Sequence, residues 1–240
     1  MAHLRKFIYC ALLFVFSVGV HAENLCTSQR QTAIEQTICA TPQLVWDDRS
    51  LNALYRLARV IEPLTKSKIV ADQKHWLNET RNRCGNAGCL IEAYESRNTV
   101  LRKYINSIAD PMPTASKWTG SYTPIPNPGN CGNSFEVSFV RQNSGQVIGI
   151  WQARIFCGGF VNGGMVDVHE DGRIFDVRVL GGRGPSHHVG VALLALKGER
   201  LYVANMFDRS SIGAEGDYEF FDDNVLQGAS SNLRLRSSES

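Results

Sequence analysis

The sequence predicts an α+β multidomain protein, in which a disulfide-stapled all-α helical bundle is followed by an antiparallel β domain. A lipocalin-like β-barrel is preferred to a sandwich for the second part. Three observations lead there. Of the 21 glycines, 17 lie between Trp118 and Asn224 and only two between Glu23 and Asp110. Apolar residues recur at threes and fours before residue 110 and at every second position after it, the periods of helix and strand. The cysteines divide in the same way: Cys26, Cys39, Cys84 and Cys89 precede the change, and Cys131 and Cys157 follow it.

The first 22 residues place Arg5 and Lys6 ahead of an uncharged run from Phe7 to Val20, closed by Val20-His21-Ala22. Small residues at the two positions a signal peptidase reads, after an apolar run shorter than the roughly 20 residues of a membrane span, predict a cleavable signal peptide over 1–22. Cys10 lies inside that run, so no lipidation cysteine stands at the cleavage site and the mature chain is expected to be periplasmic or secreted, without membrane insertion. Cleavage takes Arg5 and Lys6 from 25 basic residues, leaving them balanced against 23 acidic ones. A neutral chain argues against nucleic acid or an anionic membrane as partner.

Residues 23–110 form the predicted helical domain. A short helix fits between Thr27 and Cys39. Leu44, Leu51, Leu54, Tyr55, Ala58 and Ile61 then share one face of a helix that Pro63 ends. Ile69, Gln73, Trp76 and Leu77 mark a helix running to about Cys84, and Leu90, Tyr94, Leu101, Ile105 and Ile108 mark a last one. Short connections make neighbouring helices antiparallel. Pro111 and Pro113 make 111–117 a linker. With separate cysteines and separate periodicity, the two parts are expected to fold independently.

Residues 118–224 form the predicted β domain. Trp118-Thr119-Gly120-Ser121-Tyr122 fits the first strand of a small barrel, and Phe135, Val137 and Phe139 alternate in the next. Further strands are expected at 147–154, around Val166 and Val168, at 174–179, 189–196, 200–207 and 217–221. Asp171-Gly172 and Gly198-Glu199 supply hairpin turns. About eight strands joined by local hairpins favour an up-and-down barrel. The Ser-rich stretch 225–240 is expected to be a disordered tail.

Six cysteines in an exported chain point to disulfides rather than zinc or a redox pair, since Cys26 and Cys39 lack knuckle spacing and Cys84 and Cys89 have four residues between them. If residues 27–38 are helical, Cys26 and Cys39 stand about 20 Å apart, beyond the roughly 7 Å reach of a bridge. Antiparallel helices of similar length bring Cys39 level with Cys84. The expected scheme is therefore Cys39–Cys84 nested inside Cys26–Cys89, with Cys131–Cys157 in the β domain.

Cys26, Glu35, Ile38-Cys39, Pro42, Leu44, Asp48, Leu51 and Tyr55, followed by Gln73, Trp76-Leu77, Arg81, Cys84-Gly85, Cys89-Leu90, Tyr94, Arg97 and Leu101, carry a resemblance. Over about Leu25 to Ile105 the chain resembles the N-terminal domain of the LprI-type lysozyme-inhibitor family. The resemblance implies a binding protein whose partner is lysozyme or another cell-wall hydrolase. Asp48, Glu35, Arg81 and Arg97 fit caps and interhelical pairs, with an exposed recognition set as the competing reading. Trp76, Tyr94 and Tyr55 fit the core.

No catalytic elbow, metalloprotease helix or phosphate loop occurs, so the expectation is no enzyme, no cofactor and no metal. The one stretch without a core explanation is Gly181 to His188, a glycine-rich loop carrying Arg183, His187 and His188. Arg183 can donate to an ionised carboxylate and either histidine to a second, which suits a plug for a lysozyme cleft. Two other functions fit a two-part exported chain: a barrel carrying a small apolar ligand, and an immunity-type protein that neutralises a periplasmic toxin.

Overall fold

The computed structural model describes residues 25–28, 30–114, 117–120, 133–155, 160–181, 188–206 and 225–229. Four helices come first: α1 (Ala33–Ala40), α2 (Pro42–Ile61), α3 (Lys66–Glu79) and α4 (Ala87–Ile108). Thr32 and Glu35 close a reciprocal capping box on α1, and Pro42 occupies the first turn of α2, where its missing N–H costs nothing. Asn86 caps α4 by accepting from the Cys89 N–H at 2.9 Å. Glu35 is thus a cap, as its spacing predicts.

Trp76 meets Tyr94 edge to face at 5.3 Å, Arg97 donates to Gln73 at 2.9 Å, and Thr65 pairs with Tyr104. Residue numbers fall along α3 as they rise along α4, so these two helices are antiparallel. Tyr94 reaches Asp48 at 2.7 Å and Arg102 reaches Ser50 at 3.5 Å, so α4 runs in the same direction as α2. The buried face holds Leu44, Leu51, Leu54, Trp76, Leu90, Tyr94, Leu101 and Ile105.

Both bridges of the helical part differ from the nested scheme. Cys26 joins Cys39, with Cα atoms 5.3 Å apart, and Cys84 joins Cys89, at 5.4 Å. The assumption that fails is helix from 27 to 38. Leu25–Thr27 form a 3-10 turn, α1 starts only at Ala33, and the chain folds back between them, where the Gln31 side chain donates to the Leu25 carbonyl at 3.0 Å. Once the chain reverses, the nearest cysteine is the local one. Cys131 and Cys157 lie outside the described residues.

The strands are β1 (Lys117–Gly120), β2 (Asn133–Arg141), β3 (Val147–Ile155), β4 (Phe160–Asp171), β5 (Ile174–Gly181), β6 (His188–Lys197), β7 (Arg200–Asn205) and β8 (Val225–Ala229). β2 to β7 make a curled antiparallel sheet in which each strand pairs with its sequence neighbour. Short β1 and β8 pair with its two edges and with each other. β8 corrects the expectation of disorder for residues 225–229, whose backbone completes the ladders of β1 and β7 although Val-Leu-Gln-Gly-Ala has no alternating pattern; residues 230–240 lie outside the described residues. The expected strand at 217–221 lies outside the described residues.

Phe139, Val147, Phe175, Val177, Ala192, Leu194, Leu196, Leu201 and Val203 fill the concave face, with Phe139 edge to face with Phe175 at 5.2 Å. The alternate residues Ile174, Leu193, Ala195, Tyr202 and Ala204, with Met206 beyond β7, join the helical core instead. β5, β6 and β7 are therefore buried on both faces, and the helices and sheet share one core. This corrects the expectation of independent folding. Met112 from the linker packs against the concave-face cluster.

Polar contacts fasten the C-terminal half of α4 to two hairpin turns. Arg102 pairs with Asp171 at 2.7 Å, and Asn106 accepts from the Arg173 N–H at 2.6 Å. Arg173 and Lys197 donate to the Ala109 and Ile108 carbonyls, placing positive charge where the helix leaves its carbonyls unpaired. Gly172 turns with φ +64°, and a Cβ there would lie 2.8 Å from Asn106 Oδ1, so the turn needs glycine for both conformation and space.

A disulfide-braced tip as candidate functional site

The N-terminal ends of α2 and α4 and the 3-10 turn Arg81–Arg83 gather at one end of the bundle, where both described disulfides close. Between Cys84 and Cys89, Gly85, Asn86 and Gly88 are exposed, and open space surrounds the Cβ direction of Gly85. The bridge and the Asn86 cap hold this loop in one conformation before any partner arrives, which removes ordering cost from binding.

A buried polar network supports the tip. Asp48 accepts from Tyr94 Oη at 2.7 Å and from Asn52 Nδ2 at 3.0 Å, tying α2 to α4. Burial raises the Asp48 pKa, against the opposing effects of Tyr94, Arg81, Asn52 and Arg49. Burial also pushes the Tyr94 phenol well above its usual range, reinforced by the Asp48 charge. Arg97 bridges α4 to Gln73 of α3, and burial lowers its pKa. Asp48, Arg81 and Arg97 are thus mainly interhelical, while Trp76 and Tyr94 are core, as their spacing predicts.

A carboxyl whose folded pKa is raised contributes stability that is complete below its unfolded pKa, near 3.8, and is lost as pH rises through the folded pKa. Relative to Asp48→Asn, the wild type is therefore expected to gain stability as pH falls from 7 towards 4. Urea midpoints of the two proteins across that range check the sign; a difference that stays flat or shrinks as pH falls would contradict it.

Most of the candidate loop at 181–188, residues 182–187, lies outside the described residues. Arg183 and His187 lie outside the described residues. His188 opens β6, its backbone paired with Gly181, so the stretch between them connects β5 to β6. Among the described residues no three His, Cys, Asp or Glu side chains gather as metal ligands, and no helix is long and apolar enough to cross a membrane.

Residues 26–107 match the family model described as Lysozyme inhibitor LprI. The helical part is thus similar to LprI over those residues. Comparison with curated proteins and with solved structures gives no match. The LprI match spans both described disulfides, the Asp48–Tyr94 bond and the Arg97–Gln73 bond, and it ends before the sheet begins.

Two further residues at the tip, Trp46 and Arg49, lie outside the apolar spacing and the family pattern. Trp46 is 50% exposed, and the Arg49 guanidinium lies 5.6 Å from its ring centroid. The available signal was position: Trp46 falls off the apolar stripe of Leu44, Leu51 and Leu54, so a large aromatic there has no place in the core.

Proposed function

We propose that the protein is an exported inhibitor of lysozyme or another cell-wall hydrolase, acting by binding rather than by chemistry. The observation that carries this is the LprI match over residues 26–107. Export is supported by the signal-like residues 1–22 and by the two described disulfides, which suit an oxidising compartment. The division into a helical domain (23–110), a linker (111–117) and a β domain belongs to the same proposal. So does a lipocalin-like barrel, which the pairing of β8 with both β7 and β1 favours.

Carriage of a small apolar ligand is the weaker reading, because Phe139, Phe175 and Leu194 already fill the described concave face and Met112 packs on the same cluster. An immunity-type role would share the binding mode and differ in the target.

Purified residues 23–240 are expected to inhibit at least one muramidase in a panel assayed by zymography and turbidity. Within this reading Arg183, His187 and His188 contact the cleft carboxylates. Replacing all three with alanine is then expected to weaken inhibition about tenfold or more, the loss of a charged hydrogen bond of about 1.5 kcal/mol. Unchanged inhibition with an unchanged melting curve would remove the contact from that loop.

A further inference from the structure

The bridge between Cys84 and Cys89 joins two residues in unlike surroundings. Cys84 caps the C-terminal end of the 3-10 turn, is 8% exposed and packs in the core cluster of the helices. Cys89 lies in the first turn of α4 and is exposed. The loop between them holds only Gly85, Asn86, Ala87 and Gly88, and the Asn86 side chain is turned back onto the Cys89 N–H. The other described bridge is placed differently. Cys26 and Cys39 are both half-buried, and Gln31 Nε2 donates to Cys39 Sγ at 3.8 Å.

We propose that Cys84–Cys89 is a thiol-exchange site, which a thiolate-bearing reductant attacks at Cys89 and opens while Cys26–Cys39 stays closed. A thiolate breaks a disulfide by approaching one sulfur from the side opposite the other, so access decides which sulfur is attacked. With Cys84 in the core and Cys89 at the surface, the approach to Cys89 comes from solvent and the approach to Cys84 is blocked by packed side chains. The reductant's sulfur therefore bonds to Cys89 Sγ, the bond between the two Sγ atoms breaks, and its electron pair leaves on Cys84 Sγ. Burial disfavours a thiolate there, so Cys84 takes up a proton and becomes a thiol. A dithiol reductant completes the reduction: its second thiol, losing a proton, attacks its own sulfur in the mixed disulfide, Cys89 leaves and is protonated, and the reductant departs as an internal disulfide. Two electrons have then passed to the bridge. Opening removes the cross-link and leaves the Asn86 cap to hold the loop, so the redox state decides how firmly the tip keeps one conformation. Four residues between the cysteines set this pair apart from the spacing of oxidoreductase motifs, so it is a site acted upon by a thiol and not a source of oxidising power.

The site does not depend on the inhibitor reading. Folded residues 23–240 with their bridges intact are treated with reduced glutathione, quenched in acid, alkylated and mapped by mass spectrometry. The expected products are a glutathione adduct on Cys89, an alkylated Cys84 and an intact Cys26–Cys39 peptide, with the first bridge opening about tenfold or more faster than the second. Dithiothreitol in place of glutathione is expected to leave Cys84 and Cys89 both as free thiols while Cys26–Cys39 remains linked. Unfolding in urea removes the difference in access, and adducts are then expected on Cys84 and Cys89 alike. Adducts on Cys84 as abundant as on Cys89 in the folded protein, a Cys26–Cys39 bridge that opens as fast, or no opening before the chain unfolds would each overturn the proposal. So would a Cys89 preference that persists in urea, since neighbouring residues rather than the fold would then set it.

Discussion

Leu193→Ala is expected to destabilise the full chain by about 2–5 kcal/mol and to lower the melting of helices and sheet together. Leu193 is a strand residue with no exposed surface, and it packs in the cluster that contains Leu44, Leu57, Trp76 and Tyr94. Truncating it removes apolar contacts from a close-packed site and leaves a cavity that strand and helix backbones cannot collapse around. Because the cluster is continuous across the two parts, the loss should not stay in the sheet. Far-UV circular dichroism follows the helices and near-UV signals follow the aromatic packing, so their midpoints should fall by the same amount. Two separated transitions, with the helical one unmoved, would show that the shared core carries little energy. The same reasoning predicts that residues 23–110 alone melt with poor cooperativity, since they would expose the face that Leu193, Ala195 and Tyr202 cover.

Peptide mapping without reduction is expected to yield Cys26 linked to Cys39 and Cys84 linked to Cys89, and removing either pair should cost stability in proportion to its loop. Separations of 13 and 5 residues place the two bridges at different points on the loop-entropy curve. That curve gives about 3 kcal/mol for the Cys26/Cys39 double serine variant and about 2 kcal/mol for Cys84/Cys89. Together they approach the lower end of a domain's total stability, about 5 kcal/mol. Urea unfolding of the two double variants and their combination measures the terms, while a Cys39–Cys84 peptide in the map would restore the nested arrangement. The larger cost should fall on the longer loop; the reverse order would mean that the tip loop contributes native contacts beyond the cross-link.

Helices were legible where apolar spacing met a stop signal. Leu44 to Ile61 read as one face closed by Pro63, and α2 spans Pro42–Ile61. Hairpins were legible at Asp171-Gly172 and Gly198-Glu199, where both glycines turn with positive φ. β8 was not, because a short strand between β7 and β1 is specified by the backbone hydrogen bonds its neighbours leave open rather than by its own pattern. Part of the candidate site could be read: Asp48, Arg81 and Arg97 stood in the family pattern, and their interhelical role followed from the helical period. Trp46 and Arg49 were not legible, because a helical tryptophan and its neighbouring arginine show their contact only once exposure is known, a property of the folded surface.

Residue order by itself determined the helical and β halves, the core roles of Trp76 and Tyr94, and the resemblance that the LprI match then supported. These follow from local periodicity and short-range chemistry, which sequence spacing encodes directly. Only the tertiary structure decided the disulfide partners, because the turn before α1 brings Cys26 back to Cys39 and no periodicity marks where a chain reverses. It also decided that the halves share a core. Ala192 to Leu196 is an unbroken apolar run, and such a run is equally consistent with several buried environments until packing assigns alternate residues to two different faces: Leu194 to the concave side and Leu193 to the helices.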